Sequence, residues 1–304
     1  TDVYRYFGFR GRSEPTGSKK IGSIRISHEF PKKNAAKSLI DCLKDDKKYK
    51  DIRNWSRKLE TVERVLKTAI DFDAAAIEIT SNRRFSTFYD QVEDLDADSL
   101  GFNVGTGEDR RRYVPIAADR VEQLDDKKLS DDVFADSGVT FFKDGEPIEL
   151  SSGQRLFAYI VINVVGAIRR NSLILVDEPE LFLHPTLEIQ FVDMLKQILF
   201  SFNSKALLAT HSVVTVREVP ADCVHVFERG DDELVLKKPP FQTFGGDVQR
   251  ISSYVFGDNG ISKPFETWIK KQLSEYDSAD DLIAALGDDV NEELIIQIRA
   301  MERG

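Results

Sequence analysis

Two adjacent carboxylates, Asp177 and Glu178, stand at the end of a short apolar run, Leu173-Ile174-Leu175-Val176. A histidine, His211, follows a second apolar run, Leu207-Leu208-Ala209-Thr210, and a serine-glycine segment, Leu150-Ser151-Ser152-Gly153-Gln154, precedes both. A run such as 173–176 reads as a strand covered on both faces, and its C-terminal end is the edge where open α/β sheets bind ligands. Neighbouring carboxylates on an extended segment point in different directions, so one can hold a magnesium shell while the other orients a water. Ser151, Ser152 and Gly153 are set to open a helix whose first N–H groups lack partners, which makes an anion site. Each piece alone also has a plain reading: surface carboxylates, a serine N-cap, a strand-end histidine. Their order along the chain favours a shared site.

The elements around these residues are patterned for positioning. Residues 153–169 are almost continuously apolar, as a helix buried on most sides would be. Strand 172–177, helix 186–199, strand 205–210 and a short helix over 213–217 follow, and this alternation predicts a parallel sheet covered by helices. Residues 222–228 and 233–237 resemble a closing hairpin, and 139–150 turn at Asp144-Gly145. Upstream, Leu39, Leu43, Leu59, Val62, Val65, Leu66 and Ile70 recur at three- and four-residue steps, which predicts an amphipathic helical insertion over 31–72. Strand-like pieces appear at Val3–Phe9, Ile24–Ile26 and 75–79. The Gly-, Ser- and base-rich stretch from Arg10 to Lys20 and the acidic stretch from Asp90 to Asp98 read as surface loops. Arg110-Arg111-Arg112 reads as a solvated turn, with DNA contact as the alternative. The tail from Ile261 reads as small helices around Trp268, Ile269 and Leu273.

The 304 residues suffice for about two domains at roughly 150 residues each. With 41% hydrophobic residues a sizeable core can form, and a formal charge of -10 argues against a constitutive nucleic-acid coat. The two cysteines, Cys42 and Cys223, have no metal-ligand spacing, which fits packed thiols in a reducing compartment. No apolar run approaches the about 20 residues of a membrane span and no signal-peptide pattern is present. These readings imply a cytoplasmic protein without membrane contact.

The ordered trio resembles the trailing half of ABC-type ATPases. More narrowly, Asp177-Glu178-Pro179-Glu180-Leu181-Phe182-Leu183-His184-Pro185 is similar to the AAA-type subgroup that includes overcoming-lysogenization-defect and RecF-like proteins. The resemblance covers residues 140–230 well and the remainder poorly. It implies an α/β fold, an ABC-ATPase-like P-loop NTPase sheet covered by helices. The ATPase domain would comprise residues 1–30 and 73–256, with the helical insertion between them and a small helical region over 257–304. It implies ATP and magnesium as cofactors, with Asp177 as the Walker B aspartate, Glu178 as the general base and His211 as the switch histidine. Ser151, Ser152, Gly153 and Gln154 match the signature motif, which grips nucleotide held by an opposing subunit; Ser152 stands where glycine is commoner. Leu183-His184-Pro185 sits at the D-loop position, with packing and subunit contact as equal readings for His184, while His28 and His225 read as structural.

No Gly-x4-Gly-Lys-Ser/Thr string occurs in the chain. Thr16-Gly17-Ser18-Lys19-Lys20 lacks the spacing, and the expectation is a phosphate loop upstream of Thr1. The resemblance implies a homodimer or higher oligomer with ATP sandwiched between ATPase heads. Some relatives carry their own nuclease domain, but no acidic cluster of that kind is evident over 239–304, and Asp231-Asp232 reads as a turn. Septu-type antiphage ATPases work with a companion HNH nuclease, which points to a separate nuclease partner and a DNA or phage-derived trigger. The competing reading is an ATP-binding scaffold with little turnover that holds a partner effector.

Overall fold

A computed structural model describes residues 10–12, 24–26, 29–53, 55–79, 101–106, 110–230, 233–257, 264–287 and 290–302. The expected strand Val3–Phe9, the acidic stretch from Asp90 to Asp98, His28, Asp231-Asp232 and the segment Thr16–Lys20 lie outside these residues. The chain divides into two compact units, Thr1–Pro220 and Ala221–Gly304. The hairpin over 226–237 and the helix after it go with the second of these units.

In the first unit, helices α1 (Glu29–Lys48) and α2 (Lys58–Leu66) bury their apolar stripes in the same core as the long apolar helix. The helices expected as an insertion thus share one core with the rest of this unit. Strand β1 (Arg10–Arg12) pairs antiparallel with β2 (Ile24–Ile26). A five-stranded antiparallel sheet contains β3 (Ala74–Ile79), β4 (Phe102–Val104), β5 (Arg111–Pro115), β6 (Val139–Lys143) and β7 (Glu146–Pro147), in the order β4-β5-β3-β6-β7. Alternation puts Ile77, Val114 and Phe141 in the main core, while Ala76, Tyr113 and Phe142 cluster with Phe102. Asp144 and Gly145, both at positive φ (51° and 82°), make the tight reversal between β6 and β7. Arg111 and Arg112 lie in β5 rather than in a turn, and Arg111 stands 3.7 Å from Glu78 on the adjacent strand. The strand's pairing with β3 explains why the basic triplet is not a loop.

A short helix α3 (Asp126–Asp132) precedes β6, and α4 (Ser152–Ala167) is the long apolar helix. It is followed by β8 (Leu173–Asp177), α5 (Pro185–Ser201), β9 (Lys205–Ala209) and α6 (Val213–Arg217). β8 and β9 pair in parallel, from Leu173 opposite Lys205 to Asp177 opposite Ala209. The fold is thus mixed α/β, but parallel pairing among the described residues is confined to these two strands. Ile174, Val176, Ala206 and Leu208 pack against the helical core. Leu173, Leu175 and Leu207 on the other face are 65%, 63% and 65% exposed. β8 is therefore covered on one face, not two, because the helices pack on one side of the pair.

The fit of α1 against α4 is close. A Cβ on Gly166 would meet the Cβ and carbonyl oxygen of Ser38 at 2.7 Å. Ser38 Oγ donates to Asn163 Oδ1 (2.8 Å), and Asn163 Nδ2 donates to the Pro31 carbonyl (3.2 Å). Below them Lys58, fully buried, donates from Nζ to the Gly166 carbonyl (2.8 Å) and lies 2.9 Å from Asp45. Arg169 also bonds Asp45. Burial pulls the Lys58 ammonium below its ordinary range, while Cys42 and Asp45 act in the opposite direction. Asp46 accepts the backbone N–H groups of Lys58 and Leu59 (2.8 and 2.9 Å), which pins the start of α2.

The second unit holds the antiparallel hairpin β10 (Val226–Arg229) and β11 (Leu234–Lys237), then α7 (Val248–Val255), α8 (Pro264–Leu273), α9 (Ala279–Leu286) and α10 (Glu292–Glu302). Ile269, Ala279, Leu282 and Ile298 form its small core, with Leu273 packed alongside. Trp268 is 50% exposed and so is not a core residue; Ile269, its neighbour on the helix, takes the inward position. No helix among the described residues is long and apolar enough to cross a membrane.

Two outcomes follow from this packing. Gly166→Ala should cost about 1–3 kcal/mol by overpacking, read as a lowered midpoint in urea. Cys42 is buried and burial pushes its thiol up, whereas Cys223 is exposed. A thiol-labelling titration of the native chain should therefore modify Cys223 and spare Cys42 until denaturant is added.

Candidate active site

β8 ends at Asp177, whose side chain is exposed at the C-terminal edge of the parallel pair. Glu178 then adopts a left-handed conformation, φ 46° and ψ 56°. The two carboxylates are thus separated by a backbone reversal and not by the alternation of an extended segment. The reason lies next in the chain: Pro179, buried, starts a tight 3-10 turn over Pro179–Phe182, and Leu181 N–H closes on the Glu178 carbonyl at 3.2 Å. A left-handed conformation costs an L-residue roughly 1–2 kcal/mol, so it persists where surrounding bonds impose it. One such bond is Glu178 N–H to the Ala209 carbonyl (2.9 Å), which carries the parallel ladder one step beyond β8.

That ladder brings the end of β9 alongside the acids. His211 Nε2 stands 3.9 Å from Glu178 Oε1, with the two side chains 81% and 48% exposed. At such exposure the pair adds little stability. The histidine's main chain is held more firmly. Its N–H donates to Glu180 Oε1 at 2.6 Å. Next to it, Ser212 caps α6 by accepting from Thr215 N (3.2 Å), and its hydroxyl donates to the carboxylate of Glu188, which is 8% exposed. Asp177, Glu178 and His211 are therefore gathered at one strand edge, although 31 residues separate Glu180 from His211.

The serine-glycine segment is built differently. Ser151 is the N-cap of α4: its Oγ accepts from Gln154 N (3.2 Å), and Gln154 Oε1 accepts from Ser151 N (3.1 Å), a reciprocal capping box. Gln154 Nε2 also donates to the Ala69 carbonyl at 3.1 Å. Ser151 and Ser152 are exposed and Gly153 is buried. The helix N-terminus is thus well formed, with serine hydroxyls at the surface and its dipole directed there. His184 caps α5, with Nδ1 accepting from Thr186 N at 3.4 Å, while buried Leu183 anchors the turn before it. His225 is exposed.

Glu180 and Glu188 join the site only through the fold. Both lie in or just after the acidic motif, at ordinary first-turn positions, and nothing in their spacing announces a bond to the segment around His211. Among the described residues, no group of three or more His, Cys, Asp or Glu side chains is arranged to hold a metal ion.

The chain belongs to the family described as "AAA domain, putative AbiEii toxin, Type IV TA system", whose model matches residues 1–217. This family supports nucleotide-binding ATPase activity in general terms. The match includes the N-terminal half, which the motif resemblance covers poorly. The chain is also similar to Protein ea59 of Escherichia phage lambda, at 31% identity over 134 residues, 44% of this chain and 24% of that protein. It thus spans about a quarter of that relative's length.

The strain at Glu178 is measurable. Glu178→Gly should melt higher than Glu178→Ala, by a difference of about 1 kcal/mol, since only glycine accepts the left-handed backbone freely. Equal stabilities in paired thermal melts would mean that the turn relaxes when the carboxylate is removed.

Proposed function

We propose that this chain is an ABC-type, magnesium-dependent ATPase that works as a nucleotide-gated dimeric switch. The observation that carries the reading is the meeting of Asp177, Glu178 and His211 at the C-terminal edge of a parallel strand pair. It is supported by membership of the AAA-domain family. Phosphoryl transfer to water needs mainly positioning and charge stabilisation, and these residue types suit both tasks.

Glu178, exposed and held in its strained turn, is the general base that takes the proton of the attacking water. His211, beside it, contacts the γ-phosphate. Asp177 is a hard oxygen donor exposed at the strand end, a fit to magnesium, which takes one or two carboxylates together with substrate phosphates. The ion, when bound, neutralises phosphate charge. Ser151, Ser152, Gly153 and Gln154, at the capped start of α4, serve the nucleotide held by the opposing subunit. The sheet edge belongs, in this reading, to a P-loop NTPase architecture whose phosphate-cradling loop has no match within the 304 residues. Membership of a family that includes a putative toxin of a type IV TA system, together with a phage-encoded relative, supports a setting of phage conflict. There the switch would respond to DNA or a phage-derived trigger and act through a separate HNH-type nuclease.

The test is turnover by the full-length protein against Glu178→Gln. Loss of the base should lower kcat about 10²- to 10⁴-fold while ATP binding is retained, and should trap an ATP-bound dimer visible by light scattering. Equal, negligible rates in both proteins would replace this reading with the ATP-binding scaffold.

A further inference from the structure

We propose that Glu180 and Glu188 are positioning residues: a pair of carboxylates that clamps the segment Thr210–Ser212 to the acidic turn, so that His211 and Glu178 are set as one unit. The proposal rests on the ATPase reading for its kinetic consequence, but its structural basis is independent of it.

Hydrogen bonds at three positions join the two segments among the described residues, besides the contact of His211 with Glu178. Glu178 N–H reaches the Ala209 carbonyl at 2.9 Å, His211 N–H reaches Glu180 Oε1 at 2.6 Å, and Ser212 Oγ donates to Glu188 Oε2. They fall on three of four consecutive positions, 209, 211 and 212, and so bracket the histidine. Only the first is a ladder bond that any sequence could make. The other two need a carboxylate at a particular place, one in the 3-10 turn and one in the first turn of α5.

An acidic residue at a helix start is ordinarily explained by the helix dipole. That explanation fits poorly here. The partner of Glu180 is 31 residues away and that of Glu188 is 24 residues away, so neither carboxylate is spent on its own helix. Glu188 is buried, and a buried carboxylate is costly unless it is bonded. Glu180 carries a further cost: its Oε2 is shielded from solvent and takes no hydrogen bond among the described residues. Such exceptions call for an explanation beyond stability. Fixing the main chain at His211 supplies one, because its side chain, 81% exposed, gains little orientation from packing. Ser212 serves twice, since its hydroxyl donates to Glu188 while accepting from Thr215 N, so the clamp also registers α6.

The experiment uses the full-length protein with Glu180→Ala, Glu180→Gln and Ser212→Ala, reading hydrogen exchange over residues 209–213 and steady-state ATP hydrolysis. Glu180→Ala should accelerate exchange at His211 and lower kcat about 10- to 100-fold, the scale of a misplacement near 1 Å, with KM within about twofold. Glu180→Gln keeps a carbonyl oxygen for the His211 N–H and should bring both readouts back to within about threefold of the unmodified protein. Wild-type exchange and kcat in Glu180→Ala would overturn the clamp, as would a glutamine variant as impaired as the alanine. If Glu180→Ala fails to melt cooperatively, Ser212→Ala decides by exchange at His211, which lies outside the capped helix: faster exchange there supports the clamp and unchanged exchange overturns it. Absence of turnover in the unmodified protein would remove the ATPase reading, while the exchange measurement would still judge the clamp.

Discussion

Parallel pairing of β8 with β9 is the constraint on which the candidate site depends. Its register, with Asp177 opposite Ala209, brings two chain segments to the same edge at the same height. The crossover α5 makes that pairing possible, since parallel strands need a connection of a dozen or more residues. Once the register is set, the Glu178 N–H finds the Ala209 carbonyl, and the acidic turn and His211 become neighbours. A slip of one residue would send alternate side chains to the other face and part the acids from the histidine.

The site also needs a rigid frame, and this comes from the contact of α1 with α4. The absence of a side chain at Gly166 lets the two helices approach, and the buried Lys58 ties α2 to the end of α4. Breaking a buried ion pair leaves an uncompensated charge, so such a tie is costly to open. The result is that the far end of α4 is locked, while its N-terminus, with Ser151 and Ser152, faces solvent. The exposed leucines of β8 and β9 show that the strand pair leans on this frame from one side.

Much of the local structure is legible in the sequence alone. The 3.6-residue repeat of Leu39, Leu43 and Val62 through Leu66 marked helical faces, and Asp144-Gly145 marked a reversal, since each rests on interactions within a few residues. Ser151 and Gln154, at capping-box spacing, meet in the predicted helix start. What was not legible depended on distant partners. Arg111 and Arg112 read as a solvated turn until β5 found β3. Trp268 read as core by its bulk, yet helix rotation turned Ile269 inward. Glu180 and Glu188 looked like ordinary first-turn acids, because their partners lie on another strand end.

The sequence by itself determined which residues could do chemistry and that the acids and histidine follow apolar strands, because side-chain type and short-range periodicity are local properties. Tertiary structure decided that these strands pair in parallel, that Glu178 turns into the left-handed region, and that Glu180 accepts the His211 N–H while Glu188 accepts the Ser212 hydroxyl. Those outcomes depend on register and long-range hydrogen bonds, which form only when segments distant in the chain are packed together.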